Sequence, residues 1–275
     1  MLKVVKIGGN IVDNPEKLDK FLSDFAKLEG PKILIHGGGK VATSVAKSLD
    51  IESVMIDGRR VTDKPMLDVV TMVYGGLINK RIVAKLQSLG CNAFGITGAD
   101  GGIMPAARRK PVTKAATEDA PETTIDYGFV GDPVDAKFGI DTAATLIDAG
   151  FTIVAAPLTI DAQNFTLLNT NADTIARTLA VGMSARYDVE LVYCFEKRGV
   201  LLDVDDDNSV IEEITPSSFE VLKSSGAVYA GMLPKIENAF DAINCGVNRV
   251  VICSAEAISA SGYGGTTITG CTKCK

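Results

Sequence analysis

Two glycine clusters and a lysine at the end of an apolar run are the residue types that bind a phosphate group. Lys6 is followed by Ile7-Gly8-Gly9, and a second cluster, Gly37-Gly38-Gly39, follows another apolar run. Glycine turns after strands expose backbone N–H groups beside a helix N-terminus, and such groups attract anions. A lysine at the end of a buried strand is costly unless an anion meets it. The pattern favours a phosphate site, although a solvated lysine beside turn-forming glycines would give the same short motif.

A second lysine lies in the segment Gly231-Met232-Leu233-Pro234-Lys235, in which Pro234 suits the opening of a helix. The helix dipole disfavours a cation in the first turn unless an anion offsets it. Lys235 is therefore a second candidate for a phosphate contact. The segment alone favours this role and an ordinary surface lysine equally.

Two further polar segments and the single histidine complete the candidate residues. Gly58-Arg59-Arg60-Val61-Thr62 places two guanidinium groups in a turn, where one would clamp a carboxylate or both would be solvated. Asn169-Thr170-Asn171-Ala172-Asp173 lies where a hairpin meets a helix, and a helix cap at Asn171 explains only one of its three polar side chains. His36, before a glycine turn, fits a packed and hydrogen-bonded residue better than a general base.

The elements that must position these residues alternate between strand-length apolar runs and helix-length amphipathic stretches. This alternation predicts an α/β fold with a mainly parallel sheet and helices on both faces. Its first predicted elements are Lys3–Ile7, Pro15–Leu28, Lys32–His36, Val41–Leu49, Pro65–Leu89 and Asn92–Ile96.

The segment from Gly98 to Pro133 is rich in Gly, Pro, Thr and charge, and it predicts β-hairpins or lids that project from the sheet. Regular alternation then resumes. The later predicted elements are a helix over Asp141–Ala149, a strand over Phe151–Ala156, a hairpin through Asp161–Leu168, a helix over Ala172–Met183, a strand over Val189–Cys194, an acidic turn within Leu201–Ile214, helices over Ser217–Ser224 and Leu233–Cys245, and strands over Arg249–Cys253 and Thr266–Thr269. We expect lobes over residues 1–185 and 186–275 that share one continuous sheet.

Composition limits the class of protein and its partners. The 275 residues include 34 acidic and 28 basic side chains, so the net charge of -6 is the wrong sign for a surface that tracks nucleic-acid phosphates. No apolar run reaches the ~20 residues of a membrane helix, and the start lacks a signal-peptide pattern, which predicts a cytoplasmic protein. The six cysteines suit reduced core thiols, and the pair Cys271 and Cys274 supplies half a zinc site at best.

Taken together and in this order, the motifs resemble the amino acid kinase family, and within it the N-acetylglutamate kinases. The resemblance implies the three-layer αβα sandwich of the carbamate kinase-like fold, with acylglutamate binding and dimerisation in the N-terminal lobe and ATP binding in the C-terminal lobe. Gly128-Phe129-Val130-Gly131 resembles a lid hairpin over the acceptor. The implied site residues are Lys6, Asp173 and Lys235 for catalysis, Gly8, Gly9, Gly38 and Gly39 for phosphate, Gly37, Gly38, Arg60 and Asn169 for the acceptor, and Lys197, Gly199, Gly231, Met232 and Lys235 for the nucleotide.

The implied reaction moves the γ-phosphoryl group of MgATP to the γ-carboxylate of N-acetyl-L-glutamate in arginine biosynthesis. A carboxylate with a pKa of about 4.3 is ionised at neutral pH, so this nucleophile needs no general base. Asp173 would orient the two lysines. The sequence shows no carboxylate cage for Mg²⁺, which we expect to arrive with ATP, and the acidic run Asp203 to Asp207 lacks the ligand spacing of an EF-hand.

Two alternative functions remain open at this point. N-succinyl-L-glutamate would use the same chemistry and needs one extra cationic contact, from Arg59 or Lys64. A catalytically silent nucleotide-binding protein of the same fold is disfavoured because both lysines and Asp173 are present.

The resemblance also has one departure and one implication for assembly. Where many relatives have an S/T-D-V-x-G segment, this chain has Tyr193-Cys194-Phe195-Glu196-Lys197-Arg198-Gly199-Val200, which predicts a modified ATP pocket.

Only five residues precede Lys6, whereas arginine-inhibited relatives carry an extra N-terminal helix. We expect a homodimer without arginine feedback, with the predicted helix Pro65–Leu89 as a candidate dimer surface.

Overall fold

The structure, a computed structural model, describes residues 1–114, 122–134, 139–203, 205–225, 232–259 and 262–270. Its strands, in chain order, are β1 Leu2–Ile7, β2 Lys32–His36, β3 Met55–Ile56, β4 Arg59–Arg60, β5 Ala93–Ile96, β6 Pro105–Arg108, β7 Val112–Lys114, β8 Thr123–Ile125, β9 Gly131–Pro133, β10 Thr152–Ala155, β11 Leu158–Asp161, β12 Leu167–Asn169, β13 Val189–Phe195, β14 Glu213–Ile214, β15 Arg249–Ser254, β16 Ile258–Ser259, β17 Gly262–Tyr263 and β18 Thr266–Thr269. Its α-helices are α1 Gly9–Val12, α2 Pro15–Lys27, α3 Gly39–Ser48, α4 Lys64–Val70, α5 Asn79–Ser88, α6 Ile140–Asp148, α7 Ala172–Met183, α8 Pro216–Ser225 and α9 Leu233–Asn244.

A central sheet of eight strands runs through the described residues in the order β14-β18-β15-β13-β1-β2-β10-β5. Its pairings are parallel except for β15 with β18. The inner strands β1, β2 and β13 are almost wholly buried, as expected for parallel strands that are covered on both faces. The predicted mainly parallel α/β sheet is confirmed.

Two apolar cores cover the two faces of this sheet. Val4 belongs to the core formed with α6, α7 and α9, whereas its neighbour Val5 belongs to the core formed with α2, α3, α4 and α5. Ile33 and Leu34 divide between the two cores in the same way, because successive side chains of a strand point to opposite faces. The result is the predicted three-layer αβα sandwich.

Side-chain caps fix where several helices begin. Asn14 accepts a hydrogen bond from the Lys17 backbone N–H at 3.0 Å, and Asp63 accepts one from Met66 at 2.9 Å. Both helices also have proline in their first turn. A side-chain cap accepts a hydrogen bond from a backbone N–H that would otherwise have no partner. Proline fits the first turn because the N–H that it lacks is not needed there. These local signals explain why α2 and α4 begin close to their predicted starts.

The predicted helix Pro65–Leu89 is helical from α4 to α5, but its middle differs from an ordinary α-helix. Residues Thr71–Ile78 form a π-helix that joins the two α-helices. Its wider turns include the pair Gly75-Gly76, and Tyr74 and Ile78 are buried on its inner side. Such π segments occur often at functional sites, and this one packs against the second glycine cluster.

The polar segment after Gly98 forms hairpin structure, as predicted, although residues 115–121 lie outside the described part. Strands β7 and β8 pair as an antiparallel hairpin. Strand β6 departs from the prediction because Pro105 and Ala106 are buried, and they join a second sheet of order β12-β11-β6-β9. The short hairpins β3-β4 and β16-β17 have only two-residue strands, which sequence periodicity does not reveal.

The central sheet contains strands from both proposed lobes, because β1 pairs with β13 over six residue pairs from Leu2 with Val189 to Ile7 with Cys194. Both proposed lobes therefore contribute strands to it, while their division at residues 185 and 186 stays a prediction. Among the described residues, no helix is long and apolar enough to span a membrane.

Candidate active site

The candidate site lies where the carboxyl ends of three neighbouring strands meet. Ile7 in β1 is in register with His36 in β2 and with Cys194 in β13. The first glycine turn, the second glycine cluster and the segment after β13 therefore leave the sheet side by side. The two glycine turns touch, because a Cβ on Gly37 would lie 3.4 Å from the Gly9 backbone nitrogen. Ligands of open α/β sheets bind outside this edge.

The predicted catalytic residues Lys6, Asp173 and Lys235 come together at this edge. Lys6 lies within β1, one residue before its end, and its Nζ is 2.7 Å from Asp173 Oδ1. Only 8% of Lys6 is exposed. Burial lowers the pKa of Lys235, the positive charge of Lys6 lowers it further, and the negative charge of Asp173 opposes both. One carboxylate thus faces two ammonium groups.

Asp173 is placed by the start of α7. The side chain of Asn171 caps this helix and accepts hydrogen bonds from the backbone N–H groups of Asp173 at 2.8 Å and Thr174 at 3.3 Å. A carboxylate in the first turn is stabilised by the positive end of the helix dipole. The local sequence therefore positions Asp173 in the first turn of α7.

One cleft, which we call the acceptor cleft, contains all the residues predicted to bind the acceptor. Its lining includes Gly37, Gly38, Gly39, Arg59, Arg60, Tyr74, Arg109, Val130, Gly131, Asn169 and Thr170. Arg60 is only 7% exposed, and its Nη2 donates to the Gly39 carbonyl at 2.8 Å and to Thr43 Oγ1 at 2.9 Å. Its Nη1 donates to Ser53. The guanidinium group is therefore held rigidly at the wall of the cleft.

Backbone hydrogen bonds join three motifs that are far apart in the sequence. Phe129 N–H donates to the Thr62 carbonyl at 2.7 Å, and Asn169 N–H donates to the Phe129 carbonyl at 2.9 Å. The Asn169 side chain also donates to Thr62 Oγ1 at 3.0 Å. Gly128 has a φ of +73°, and any Cβ there would collide with the Thr62 carbonyl oxygen. The predicted lid segment thus lies between the arginine turn and the asparagine segment.

The π-helix supports the second glycine cluster. Gly38 has a φ of +154°, and a Cβ at this position would overlap Ile78 Cδ1 and lie 3.2 Å from Tyr74 Cδ1. Only glycine satisfies both the backbone conformation and this packing. Burial raises the pKa of Tyr74, so its hydroxyl stays protonated beside Arg60 at neutral pH.

A second cleft, the nucleotide cleft, is lined by Lys235 and by the first glycine turn. Its lining is Gly8, Gly9, Asn10, Ile11, Cys194, Phe195, Glu196, Lys197, Met232 and Lys235. The Asn10 amide donates to Glu196, and Lys40 donates to Asn10. These bonds tie the segment after β13 to the first glycine turn and to α3.

The residues predicted to bind the nucleotide differ in whether they line the nucleotide cleft. Lys197 and Met232 line the nucleotide cleft, and Lys197 also pairs with Asp207 at 2.9 Å. Gly199 does not line it, because this glycine is buried and a Cβ there would lie 2.7 Å from Thr266 Oγ1. Gly231 lies outside the described residues.

His36 is packed, as the sequence predicts. It is fully buried, its Nδ1 lies 2.8 Å from the Gly37 carbonyl, and its Nε2 lies 3.4 Å from the Asn79 amide nitrogen. Burial lowers its pKa from 6.5 to about 4. A neutral imidazole that donates from Nδ1 and accepts at Nε2 satisfies both contacts, so His36 supports the glycine cluster.

The cysteines in the described part are free thiols. Cys194 and Cys253 are both buried, with their sulfur atoms 4.0 Å apart on neighbouring strands. Burial and its neighbour raise the pKa of Cys194, which makes this thiol unreactive. Cys271 and Cys274, which the sequence gives as half a zinc site at best, lie outside the described residues.

Comparison with known proteins agrees with this geometry. The sequence profile of the amino acid kinase family matches residues 1–254. The chain belongs to the amino acid kinase family. It is 54% identical over 257 residues to an acetylglutamate kinase of Cytophaga hutchinsonii, an alignment that covers 94% of this chain and 92% of that one. It is 52% identical over 259 residues to an acetylglutamate kinase of Bacteroides thetaiotaomicron, covering 94% of this chain and 95% of the relative.

A solved structure supports the fold of this amino acid kinase independently. A carbamate kinase from Giardia superposes with a TM-score of 0.68 at 14% identity, covering 98% of each chain. At this identity the likeness concerns the fold alone. It confirms the carbamate kinase-like architecture predicted for the chain.

Several residues of this amino acid kinase site are not predicted from the sequence. Tyr74 and Arg109 line the acceptor cleft, and Asn10 and Phe195 line the nucleotide cleft. A weak signal exists for Arg109, which lies in the charged run Arg108-Arg109-Lys110. Tyr74 is one of many apolar residues in a long helical segment, so nothing local distinguishes it.

Proposed function

We propose that this protein transfers the γ-phosphoryl group of ATP to the γ-carboxylate of N-acetyl-L-glutamate, which yields N-acetylglutamyl 5-phosphate in arginine biosynthesis. The acetylglutamate kinase relatives align over nearly their full length. The observation that carries the proposal is the proximity of Lys6, Asp173 and Lys235 at one strand edge, where the neighbours of Asp173 line the acceptor cleft and Lys235 lines the nucleotide cleft.

The chemistry requires fixed positive charge. An ionised carboxylate attacks an anionic phosphate, so positioning and electrostatic stabilisation supply most of the catalysis. Lys6, buried and paired with Asp173, would stabilise the transferring phosphoryl group together with the N–H groups of Gly9 and Gly38. Lys235 would neutralise charge on the leaving side.

The nucleotide cleft fits the phosphates of ATP. Among the described residues, no carboxylate oxygen lies within 4.0 Å of Lys235 Nζ, although the lysine is half-buried. An ammonium group in that position is suited to an incoming anion. The same part of the chain has no cluster of three or more metal-ligating side chains, so Mg²⁺ would enter with ATP, keep several waters and neutralise phosphate charge.

The acceptor cleft fits an acylated glutamate. Arg60 is held rigidly with its guanidinium at the cleft wall, which suits the α-carboxylate of the acceptor. Asn169 also lines the cleft, beside the lid segment. Arg109 also lines the cleft, but its guanidinium already pairs with Asp132, with Nε 3.0 Å from Oδ2. Arg59 lines the same cleft, so the acetyl assignment rests on the acetylglutamate kinase relatives and not on the charge of the cleft.

Hydroxylamine trapping tests the proposal. Purified protein with MgATP and hydroxylamine should form the hydroxamate of N-acetylglutamate, and at least about tenfold less product from N-succinylglutamate. A preference for N-succinylglutamate would overturn the acetyl assignment. No product from either acceptor would favour a silent nucleotide-binding protein.

We further propose that the protein is a homodimer in the cytoplasm that uses the helical run Lys64–Ser88 as part of its interface. Met72 is 54% exposed on the π-helix of this run, and an exposed apolar side chain there suits a symmetric contact. Light scattering should give twice the chain mass for the wild type and a smaller mass for Met72→Glu. A monomeric wild type would contradict the proposal.

A further inference from the structure

Phe195, the last residue of β13, lies between the two lysines of the site. The centroid of its ring is 3.8 Å from Lys235 Nζ and 5.3 Å from Lys6 Nζ. Asp173 pairs with Lys6 at 2.7 Å, whereas the ring is the close partner of Lys235 among the described residues. The ammonium groups of Lys6 and Lys235 therefore lie beside one carboxylate, that of Asp173, and one aromatic ring, that of Phe195.

The ring is itself held in place. Side chains two residues apart lie on the same face of a strand, and the Tyr193 and Phe195 rings stack with centroids 6.1 Å apart and planes 18° apart. The Tyr193 hydroxyl donates to the backbone carbonyl of Asp173 at 3.4 Å. Phe195 also packs against the apolar core under α7. The aromatic pair thus connects the end of β13 to the start of the helix that carries Asp173.

An aromatic face attracts a cation electrostatically, and more strongly where water is excluded. We propose that Phe195 is a positioning residue for phosphoryl transfer, whose ring face holds the Lys235 ammonium, and more weakly that of Lys6, at the phosphates of the nucleotide. This inference rests on the proposed kinase function. It assigns a role to the segment in which the sequence departs from the S/T-D-V-x-G pattern of its relatives.

The arrangement also affects the protonation of Lys235. Lys6 faces it from β1 and Asp173 faces it from α7, while Glu196 and Lys197 line the same cleft from the end of β13. Burial and Lys6 lower the pKa of Lys235. The ring face stabilises the protonated form, so loss of the ring should lower this pKa further and shift the alkaline limb of the kcat profile to lower pH.

The test compares Phe195→Leu and Phe195→Tyr with Phe165→Leu, a matched control at a side chain that is 74% exposed in the β11-β12 hairpin. The first readout is kcat and KM across pH. We expect Phe195→Leu to lower kcat by about fivefold or more, with little change in the KM of N-acetylglutamate. Phe195→Tyr keeps an aromatic face and should restore kcat, and the control should match the wild type.

The second readout does not need activity. The pH dependence of Lys235 labelling by an amine-reactive reagent, measured by mass spectrometry without substrates, gives its pKa directly. This pKa should fall in Phe195→Leu and recover in Phe195→Tyr. If the wild type formed no acyl phosphate, the proposed function would fail while this titration still tested the role of the ring.

A third variant tests the inference even if Phe195→Leu does not fold. Trifluorophenylalanine at position 195 keeps the shape of the ring and weakens its negative face, so it should lower the pKa of Lys235 in the same direction. A folded variant, verified by its thermal unfolding, in which Lys235 titrates as in the wild type would overturn the inference.

Discussion

Replacing Asp173 by asparagine removes the carboxylate that faces the ammonium groups of Lys6 and Lys235. Lys6 loses an ion pair of 2.7 Å, and its side chain is 10% exposed while that of Asp173 is 41% exposed. Breaking a fully buried pair costs about 3–5 kcal/mol. Because Asp173 is partly solvated, screening reduces this figure, and we expect Asp173→Asn to lower the free energy of unfolding by about 1–2 kcal/mol.

The effect of Asp173→Asn on catalysis should be larger than its effect on stability. Without the carboxylate, the two lysines repel each other and leave the positions that fit the phosphates. Loss of such a preorganised contact costs on the order of 10²-fold in kcat. The KM of N-acetylglutamate should change little, because Arg60 and Asn169 line the acceptor cleft independently of Asp173.

A matched control separates this effect from the general loss of an ion pair. The pair between Lys64 and Asp68 is exposed on both sides, at 63% and 59%. Asp68→Asn should cost at most about 0.5 kcal/mol and leave kcat unchanged. Urea denaturation and steady-state kinetics on both variants are the assays. A folded Asp173→Asn protein with near-normal kcat would refute the proposed role of the carboxylate.

Three further predictions follow from the geometry of the site. Arg60→Lys keeps the charge but loses the forked hydrogen bonds, so initial-rate kinetics should show a KM for N-acetylglutamate that is about tenfold higher or more, with the KM of ATP little changed. Because burial lowers the pKa of His36 from 6.5 to about 4, the unfolded state binds more protons between these pH values. Because of His36, denaturation should give a free energy of unfolding that is about 2 kcal/mol lower at pH 5 than at pH 7. A difference in this free energy between His36→Asn and the wild type that stays the same at both pH values would contradict the prediction. Gly38→Ala should destabilise the fold by about 2 kcal/mol and reduce activity, whereas Gly76→Ala, with open space around it, should melt at or above the wild-type temperature.

Much of the fold follows from local sequence signals. The bounds of β2, α7 and β18 match their predicted ranges, because apolar runs, a capping asparagine and turn glycines mark them clearly. The π-helix Thr71–Ile78 has no such signal. Its sequence is mostly apolar, and Tyr74 and Ile78 pack against Gly38, a tertiary contact that a local pattern does not reveal.

The candidate site shows the same division between local and tertiary information. Lys6, Asp173 and Lys235 are predicted by residue type and motif order. Phe195 is not, because its relation to the lysines depends on which strand lies beside β1. Gly199 packs against Thr266 of a neighbouring strand, and its contact with the nucleotide stays a prediction.

The central claim is that the γ-carboxylate oxygen of N-acetylglutamate attacks the γ-phosphorus of ATP. It is tested most directly with acceptor carrying ¹⁸O in the γ-carboxylate, by following the reaction with MgATP by ³¹P NMR. Attack by the carboxylate predicts an acyl phosphate signal with the isotope shift of one bridging ¹⁸O, which is absent in Lys6→Ala. Consumption of ATP without an isotope-shifted acyl phosphate would contradict the claim.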